Sequence, residues 1–172
     1  MNVFIRPGRT EDAAGIAAIG RVSFIHAFQH LFLQKKDMED YVAKTYTTER
    51  IAASLGKSLN RYYVCFADDR PVGFAKLKKG SSHPVLQSSR QCELQRIYLL
   101  PEFHGSGAGQ LLMNEIIKAA RQTEAEFLWL DVHIANEKAK RFYCRNQFSK
   151  AGDYRFTIGT QEFHYDVMRR AV

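Results

Sequence analysis

The chain has 172 residues, 45% hydrophobic and 25% charged, a balance that suits one soluble domain over residues 1–172 with a substantial core. No apolar run approaches the ~20 residues of a membrane span, and the first residues lack a secretory-signal pattern, so the expected location is the cytoplasm with no membrane partner. The net charge of +7 suits an anionic partner. Its positive residues are scattered in pairs such as Lys35-Lys36, Lys78-Lys79 and Arg169-Arg170, without the stripe or finger spacing of a nucleic-acid binder.

Residues 3–6 read as a short strand, and Thr10-Glu11-Asp12 as an N-cap with acids in the first turn. Apolar Ile16, Ile19, Val22 and Phe24 predict a helix over residues 13–31. Short helices follow over 38–46 and 48–55, the second stopped at Gly56. Strands 62–67 and 72–78, joined by a turn, make a hairpin. Gly, Pro and four serines predict a mobile loop over 80–90.

Strand 91–100 then leads into a glycine-rich turn, and helix 110–121 leaves it with Leu111, Leu112, Ile116, Ile117 and Ala120 toward the sheet. Residues 127–132 form a buried parallel strand, 136–145 a helix, and 148–155 and 163–168 the last strands, joined across Gly159. The order predicts an α/β fold with a mixed sheet flanked by helices. Cys65, Cys92 and Cys144 are an odd three without Cys-x-x-Cys spacing, so neither a disulfide framework nor a zinc cage is expected, and Cys144 reads as an inert thiol.

The turn His104-Gly105-Ser106-Gly107-Ala108-Gly109 sits between a strand and a helix, the arrangement of a phosphate cradle. Glycines admit positive φ and close approach of the backbone, and the helix N-terminus turns N–H groups and positive dipole toward an anion. The P-loop requires a Lys after its glycines and the Rossmann turn a Gly-x-Gly-x-x-Gly early in a βαβ unit, and neither fits.

The segment 93–148 resembles the GNAT superfamily of N-acetyltransferases. That family's loop, Gln/Arg-x-x-Gly-x-Gly/Ala, is matched by residues 104–109, between Pro101-Glu102-Phe103 and Leu111-Leu112. Its second block, Asn-x-x-Ala-x-x-Phe-Tyr, is present as Asn136 to Tyr143. A weaker resemblance runs over 5–75, and Glu93 to Tyr98 with the N-terminal helices look most like the PaiA-type acetyltransferases, which act on polyamines.

The resemblance implies a GNAT-like acyl-CoA N-acyltransferase fold in which two adjacent parallel strands splay apart to admit pantetheine. It implies acetyl-CoA as cosubstrate, a primary amine of a small molecule as acceptor, a polyamine first among them, and direct attack in a ternary complex. A homodimer is common in the family. His104, Gly105, Ser106, Gly107, Ala108, Gly109 and Gln110 would hold the pyrophosphate. Ile97, Tyr98 and Leu99 would meet pantetheine through their backbone, with the Leu99 N–H as oxyanion donor. Asn136 would cap its helix and bond the pantetheine arm, and Tyr143 would protonate the leaving thiolate.

Amine acetylation also needs a base, and Glu93 is the candidate on the strand before the cradle, acting through water, with Asp131 and His133 as alternatives. A polyamine enzyme should show an acidic entrance from residues such as Glu39, Asp40 and Glu49. His26 and His30 have i, i+4 spacing, but without a third ligand no metal site is expected. Two positions depart from the family pattern. His104 replaces the usual Arg or Gln, leaving a ring that can donate to phosphate but is charged only near or below a pKa of roughly 6.5. Gln147 replaces the usual Gly, where a left-handed residue costs roughly 1–2 kcal/mol, so the turn is expected to differ. The alternative readings are a protein or peptide N-acetyltransferase and a non-catalytic acyl-CoA-binding regulator.

Overall fold

The computed structural model describes residues 2–172. Strands Val3–Pro7 (β1), Asn60–Ala67 (β2), Arg70–Lys79 (β3), Gln91–Leu99 (β4), Phe127–His133 (β5), Ser149–Ile158 (β6) and Gln161–Ala171 (β7) form one sheet in the order β1-β2-β3-β4-β5-β7-β6. Every neighbouring pair is antiparallel except β4–β5, so the expected mixed sheet is present. The helices are Ala13–Phe28 (α1), Lys35–Thr45 (α2), Thr48–Leu55 (α3), Ala108–Arg121 (α4) and Glu137–Arg145 (α5). None is long and apolar enough to cross a membrane.

On β3 the consecutive residues Val72 to Ala75 are all buried, which requires cover on both faces of the sheet. Leu99 of β4 approaches Gly109 of α4, whereas its neighbour Tyr98 turns to the other face and meets Tyr46, just beyond α2. The period-2 alternation of β4 thus separates an α4 face from a face under α1 and α2. Gly20 of α1 lets Tyr46 lie against the helix, since a Cβ there would stand 2.3 Å from the Tyr46 ring.

Four local expectations need correction. Thr10 caps nothing; Asp12 does the equivalent work, accepting from the Arg9 N–H at 2.7 Å and pairing with Arg6 at 2.8 Å. The helix read over 13–31 is α-helical to Phe28 and tightens to a 3-10 turn over Gln29–Leu31. Leu111 of α4 is 43% exposed, while Met113 and Ala119 face inward with Leu112, Ile116, Ile117 and Ala120, because the buried stripe that Ala108, Leu112, Ile116 and Ala120 trace at i, i+4 leaves Leu111 outside it.

The segment 80–90 lacks regular structure but is anchored. Leu86 packs with Trp129 and Val167, His83 sits between the Trp129 and Tyr154 rings, and the Trp129 indole donates to the Ser81 carbonyl at 2.7 Å.

The far side of the fold is clasped. Asp37 of α2 accepts from the Thr160 N–H at 2.8 Å and from its hydroxyl at 2.6 Å. Gln161 donates to the Leu31 carbonyl and accepts from the Leu33 N–H, both at 2.8 Å. The β6–β7 tip is thereby tied to the α1–α2 connection, where Phe163 meets Phe32 and Phe32, like Tyr98, packs on the cluster of Phe24, Met38, Val42 and Tyr46.

Candidate active site

The parallel pair β4–β5 is hydrogen-bonded only at its start, Gln91 to Phe127, Cys92 to Leu128 and Glu93 to Trp129. Beyond Glu93, β4 continues with β3 and β5 with β7, so the two strands diverge toward their carboxyl ends. A bulge between Lys76 and Leu77 in the β3–β4 register accompanies the separation. Leu100 donates to the Val72 carbonyl across β3 at 2.8 Å. Alternation along the strand therefore turns the Leu99 N–H away from β3, toward the opening.

At the mouth of the opening lies the glycine turn. Gly105 has φ 82° and Gly107 φ 88°, and nothing lies within 4 Å of a Cβ built on either. Ser106 closes the loop on itself, its hydroxyl donating to the Phe103 carbonyl at 2.7 Å and accepting from the Ala108 N–H at 3.3 Å. No acceptor among the described residues takes the N–H groups of Gly105, Gly107 or Gly109, while Gln110 and Leu111 already donate to Gly107. An open concavity of unpaired N–H groups at the start of α4 fits a pyrophosphate.

The predicted side chains around the cradle are mostly engaged. The His104 ring bonds the Leu99 carbonyl at 3.2 Å, an oxygen that also accepts from Ser23 at 3.0 Å. Burial pushes this imidazole below its usual range, with the Leu99 bond working the other way, so the ring serves the backbone rather than standing as a cation toward phosphate. Gln110 exchanges hydrogen bonds with Asn146 at the end of α5, at 2.7 and 3.2 Å. Asn136 caps α5 by accepting from the Ala139 N–H at 3.1 Å. Ile97 and Leu99 pack against the main core.

Tyr143 is half-buried between the Phe142 and Phe148 rings, 5.6 and 5.9 Å away. Burial raises its phenol well above the ordinary value, so it stays protonated. The turn behind it does not differ as expected. Gln147 adopts φ 66°, and Phe148 donates to the Tyr143 carbonyl and Gln147 to that of Cys144, at 3.1 and 3.0 Å, which is a complete Schellman motif. Arg170 donates to the Gln147 amide oxygen at 3.3 Å.

Toward α1 and α2, Glu93 sits where the strands part and accepts from the Ser81 hydroxyl at 2.8 Å. Asp131 is one pleat further along β5. Burial, assisted by the charge of Glu93, raises its carboxyl from 3.8 to about 7. His83 Nδ1 accepts from the Val85 N–H at 3.2 Å, which fixes the proton on Nε2. That buried N–H faces Asp131 at 3.5 Å, close enough for attraction but without a hydrogen bond. His133 instead accepts from the Ala135 N–H at 3.1 Å and lies beside Phe163 and Tyr165. The same face carries Arg96 over the Tyr46 ring, its cross-strand neighbour Lys76, and a contact between the Tyr46 and Tyr98 hydroxyls at 3.4 Å.

Sequence reasoning missed Arg96, Lys76, Tyr46 and His83; for Arg96 the available signal is the alternation of β4, which sends it to the face of Tyr98 and away from Ile97 and Leu99. Of the acids expected at an entrance, Glu49 stands exposed in the first turn of α3. Glu39 pairs with Lys35 at 3.2 Å and Asp40 with Lys36 at 3.0 Å on the exposed face of α2, the ordinary i, i+4 geometry. Among the described residues no three His, Cys, Asp or Glu side chains converge as metal ligands, and the His26 ring meets His104 at 5.8 Å. Cys144 is a free, exposed thiol.

The profile of the acetyltransferase (GNAT) family matches residues 24–148. An uncharacterized N-acetyltransferase of Mycobacterium tuberculosis, Rv2669, is 30% identical over 159 residues, covering 92% of this chain and 97% of its own. The spermidine N(1)-acetyltransferase of Thermoplasma acidophilum is 24% identical over 152 residues, covering 86% and 89%. In fold, the chain matches the PaiA N-acetyltransferase of Thermoplasma acidophilum in complex with coenzyme A, with a TM-score of 0.77, 22% identity and full coverage of both chains. With the splayed strands and the glycine cradle, these likenesses make the chain an N-acetyltransferase, and it belongs to the acetyltransferase (GNAT) family.

Proposed function

We propose that this single-domain enzyme transfers the acetyl group of acetyl-CoA to a primary amine of a small molecule, by direct attack in a ternary complex. The observation that carries the reading is the cradle of unpaired N–H groups at the mouth of the β4–β5 opening. Acetyl-CoA supplies the activated acetyl thioester. The unpaired N–H groups of Gly105, Gly107 and Gly109 would hold its pyrophosphate, and the β4 edge that parts from β5 would offer the Ile97 backbone and the Leu99 N–H to the amides of pantetheine, the Leu99 carbonyl being occupied by His104 and Ser23.

The chain's own groups then divide the work. The Leu99 N–H, facing the opening, stabilises negative charge on the acetyl oxygen. Glu93 and Asp131 accept the amine's proton through water, and the raised carboxyl of Asp131 makes the pair basic near neutral pH. Tyr143 donates to the departing sulfur. A phenol held above the ordinary range gives a proton to a thiolate of pKa roughly 8.5 only uphill, so its chief contribution is a hydrogen bond that strengthens as charge develops.

A small acceptor is favoured over a protein tail by the clasp of Asp37 and Gln161 that closes one side of the cleft. A polyamine has the support of the Thermoplasma relative's name and lacks the expected acidic entrance on α2. The test is free-thiol release from acetyl-CoA with a panel of polyamines, amino acids and basic peptides, alongside calorimetry of CoA. Turnover with one small-amine class supports the reading. Tight CoA binding with no turnover of any acceptor replaces it with a non-catalytic acyl-CoA-binding regulator.

A further inference from the structure

Arg96 projects from β4 onto the acceptor face, and no carboxylate is paired with it there. Its guanidinium lies 5.2 Å from the centroid of the Tyr46 ring. Burial works against the charge, and the titratable groups nearest to it are the phenols of Tyr46, Tyr98, Tyr41 and Tyr62, with no carboxylate among them. No carboxylate among the described residues forms an ion pair with it. Its cross-strand neighbour is a second cation, Lys76, which lies over the Tyr62 ring at 5.5 Å. Burial and the charge of Arg96 push that ammonium down to about 8, against the opposing charge of Glu93.

Two cations side by side in a partly desolvated, aromatic-lined cleft oppose folding unless an anion joins them. Next to the cations along the strands the sign reverses, because Glu93, which acts on Lys76, stands with Asp131 where β4 and β5 separate. A polyamine would bring further positive charge beside Arg96. A phosphate dianion would be repelled by the two carboxylates more strongly than a single negative charge would.

We propose that the acceptor is a small aminocarboxylate, such as an amino acid, whose carboxylate is held by the Arg96 fork with Lys76 beside it and whose amine turns toward Glu93 and Asp131. The inference rests on the small-amine acetyltransferase reading above and names its substrate class. A planar guanidinium matches a carboxylate with two parallel hydrogen bonds, and the Tyr46 ring beneath Arg96 orients its fork.

The experiment compares kcat/KM for acetyl transfer to lysine and ornithine with that for their decarboxylated twins, cadaverine and putrescine. Spermidine and O-phosphoethanolamine are further arms. The aminocarboxylates should lead their twins by about tenfold to a hundredfold, the worth of a charge-assisted hydrogen bond. Arg96→Met should bring that ratio toward one, mainly through KM, and Arg96→Lys should fall between. CoA affinity by calorimetry, set by the remote cradle, shows that the variants are folded. A lead for spermidine, for the decarboxylated amines or for O-phosphoethanolamine overturns the proposal, as does a ratio unmoved by Arg96→Met.

If no acceptor is turned over, the small-amine reading fails, and the carboxylate site is still tested by titrating Nα-acetyl-lysine and Nε-acetyl-lysine into the CoA-loaded protein. Binding that Arg96→Met removes supports the site, and no binding of either overturns it.

Discussion

The two halves of the proposed active cleft are built from different materials. On the donor side the working groups are backbone amides, exposed by Gly105 and Gly107 at positive φ and by strands that part after Glu93. On the acceptor side they are side chains: Arg96 and Lys76 from β4 and β3, Glu93 and Asp131 from β4 and β5, and Tyr46 from beyond α2. A backbone site serves whatever carries the right phosphate and amide spacing, and it tolerates change in side chains that are occupied elsewhere. His104 and Gln110 illustrate this, since their side chains bond Leu99 and Asn146 while the turn itself keeps its form. The acceptor side has no such tolerance, because each group reaches its place through tertiary packing.

Tyr143 stands between the halves, and its loss should have the largest effect. Tyr143→Phe keeps the contacts with Phe142 and Phe148 and removes only the hydroxyl. As a hydrogen-bond donor to the departing sulfur is removed, kcat should fall by about a hundredfold, with KM for both substrates little changed. Unaltered turnover at every pH would strip Tyr143 of its role and leave the donor half as a binding device.

Gly107→Val attacks the donor half alone. There is room for the side chain, so the obstacle is the left-handed backbone at φ 88°, which costs a non-glycine residue roughly 1–2 kcal/mol. CoA affinity should drop about fivefold to thirtyfold in calorimetry. Unchanged affinity would mean that the turn does not hold the pyrophosphate.

Asp131→Asn probes the acceptor half through pH. The wild-type rate should rise as pH passes through about 7, where Asp131 ionises, and the variant should lose that limb. Stability should respond with a definite sign. A carboxyl raised from 3.8 to about 7 favours the folded state while protonated and loses that advantage as pH climbs through this window. Thermal unfolding should therefore show the Asn variant gaining on the wild type from pH 4 to pH 7. A rate profile identical in both proteins would return the base role to Glu93 alone.

The contrast also explains what could be read from the sequence. Strand, glycine turn and helix are consecutive in the chain, and glycine is the residue that a backbone anion site demands, so 93–109 announces itself. Asn136 and Tyr143 lie on one short helix and are equally local. Arg96 and Lys76 are ordinary strand residues until a pairing register sets them side by side. His83 hides in a stretch that reads as polar linker because its partners, Trp129 and Tyr154, are distant in sequence. The acids of α2 look available until their i, i+4 lysines are noticed at Lys35 and Lys36.

Gln147 offers the smallest test, and one that links local strain to the site. Its left-handed turn completes the Schellman motif that sets Phe148 against Tyr143. Gln147→Gly relieves roughly 1–2 kcal/mol of backbone strain but gives back about 0.4–1 kcal/mol through a freer unfolded chain. It also loses the long Arg170 contact at 3.3 Å. Gln147→Ala loses the same contact and keeps the strain. The two variants should therefore differ by about 1 kcal/mol in denaturant unfolding, glycine the more stable, with the wild type close to the glycine variant. Equal stability would mean that α5 ends in another turn when the side chain is removed, and Tyr143 would then owe its position to Phe142 and the core rather than to the cap behind it.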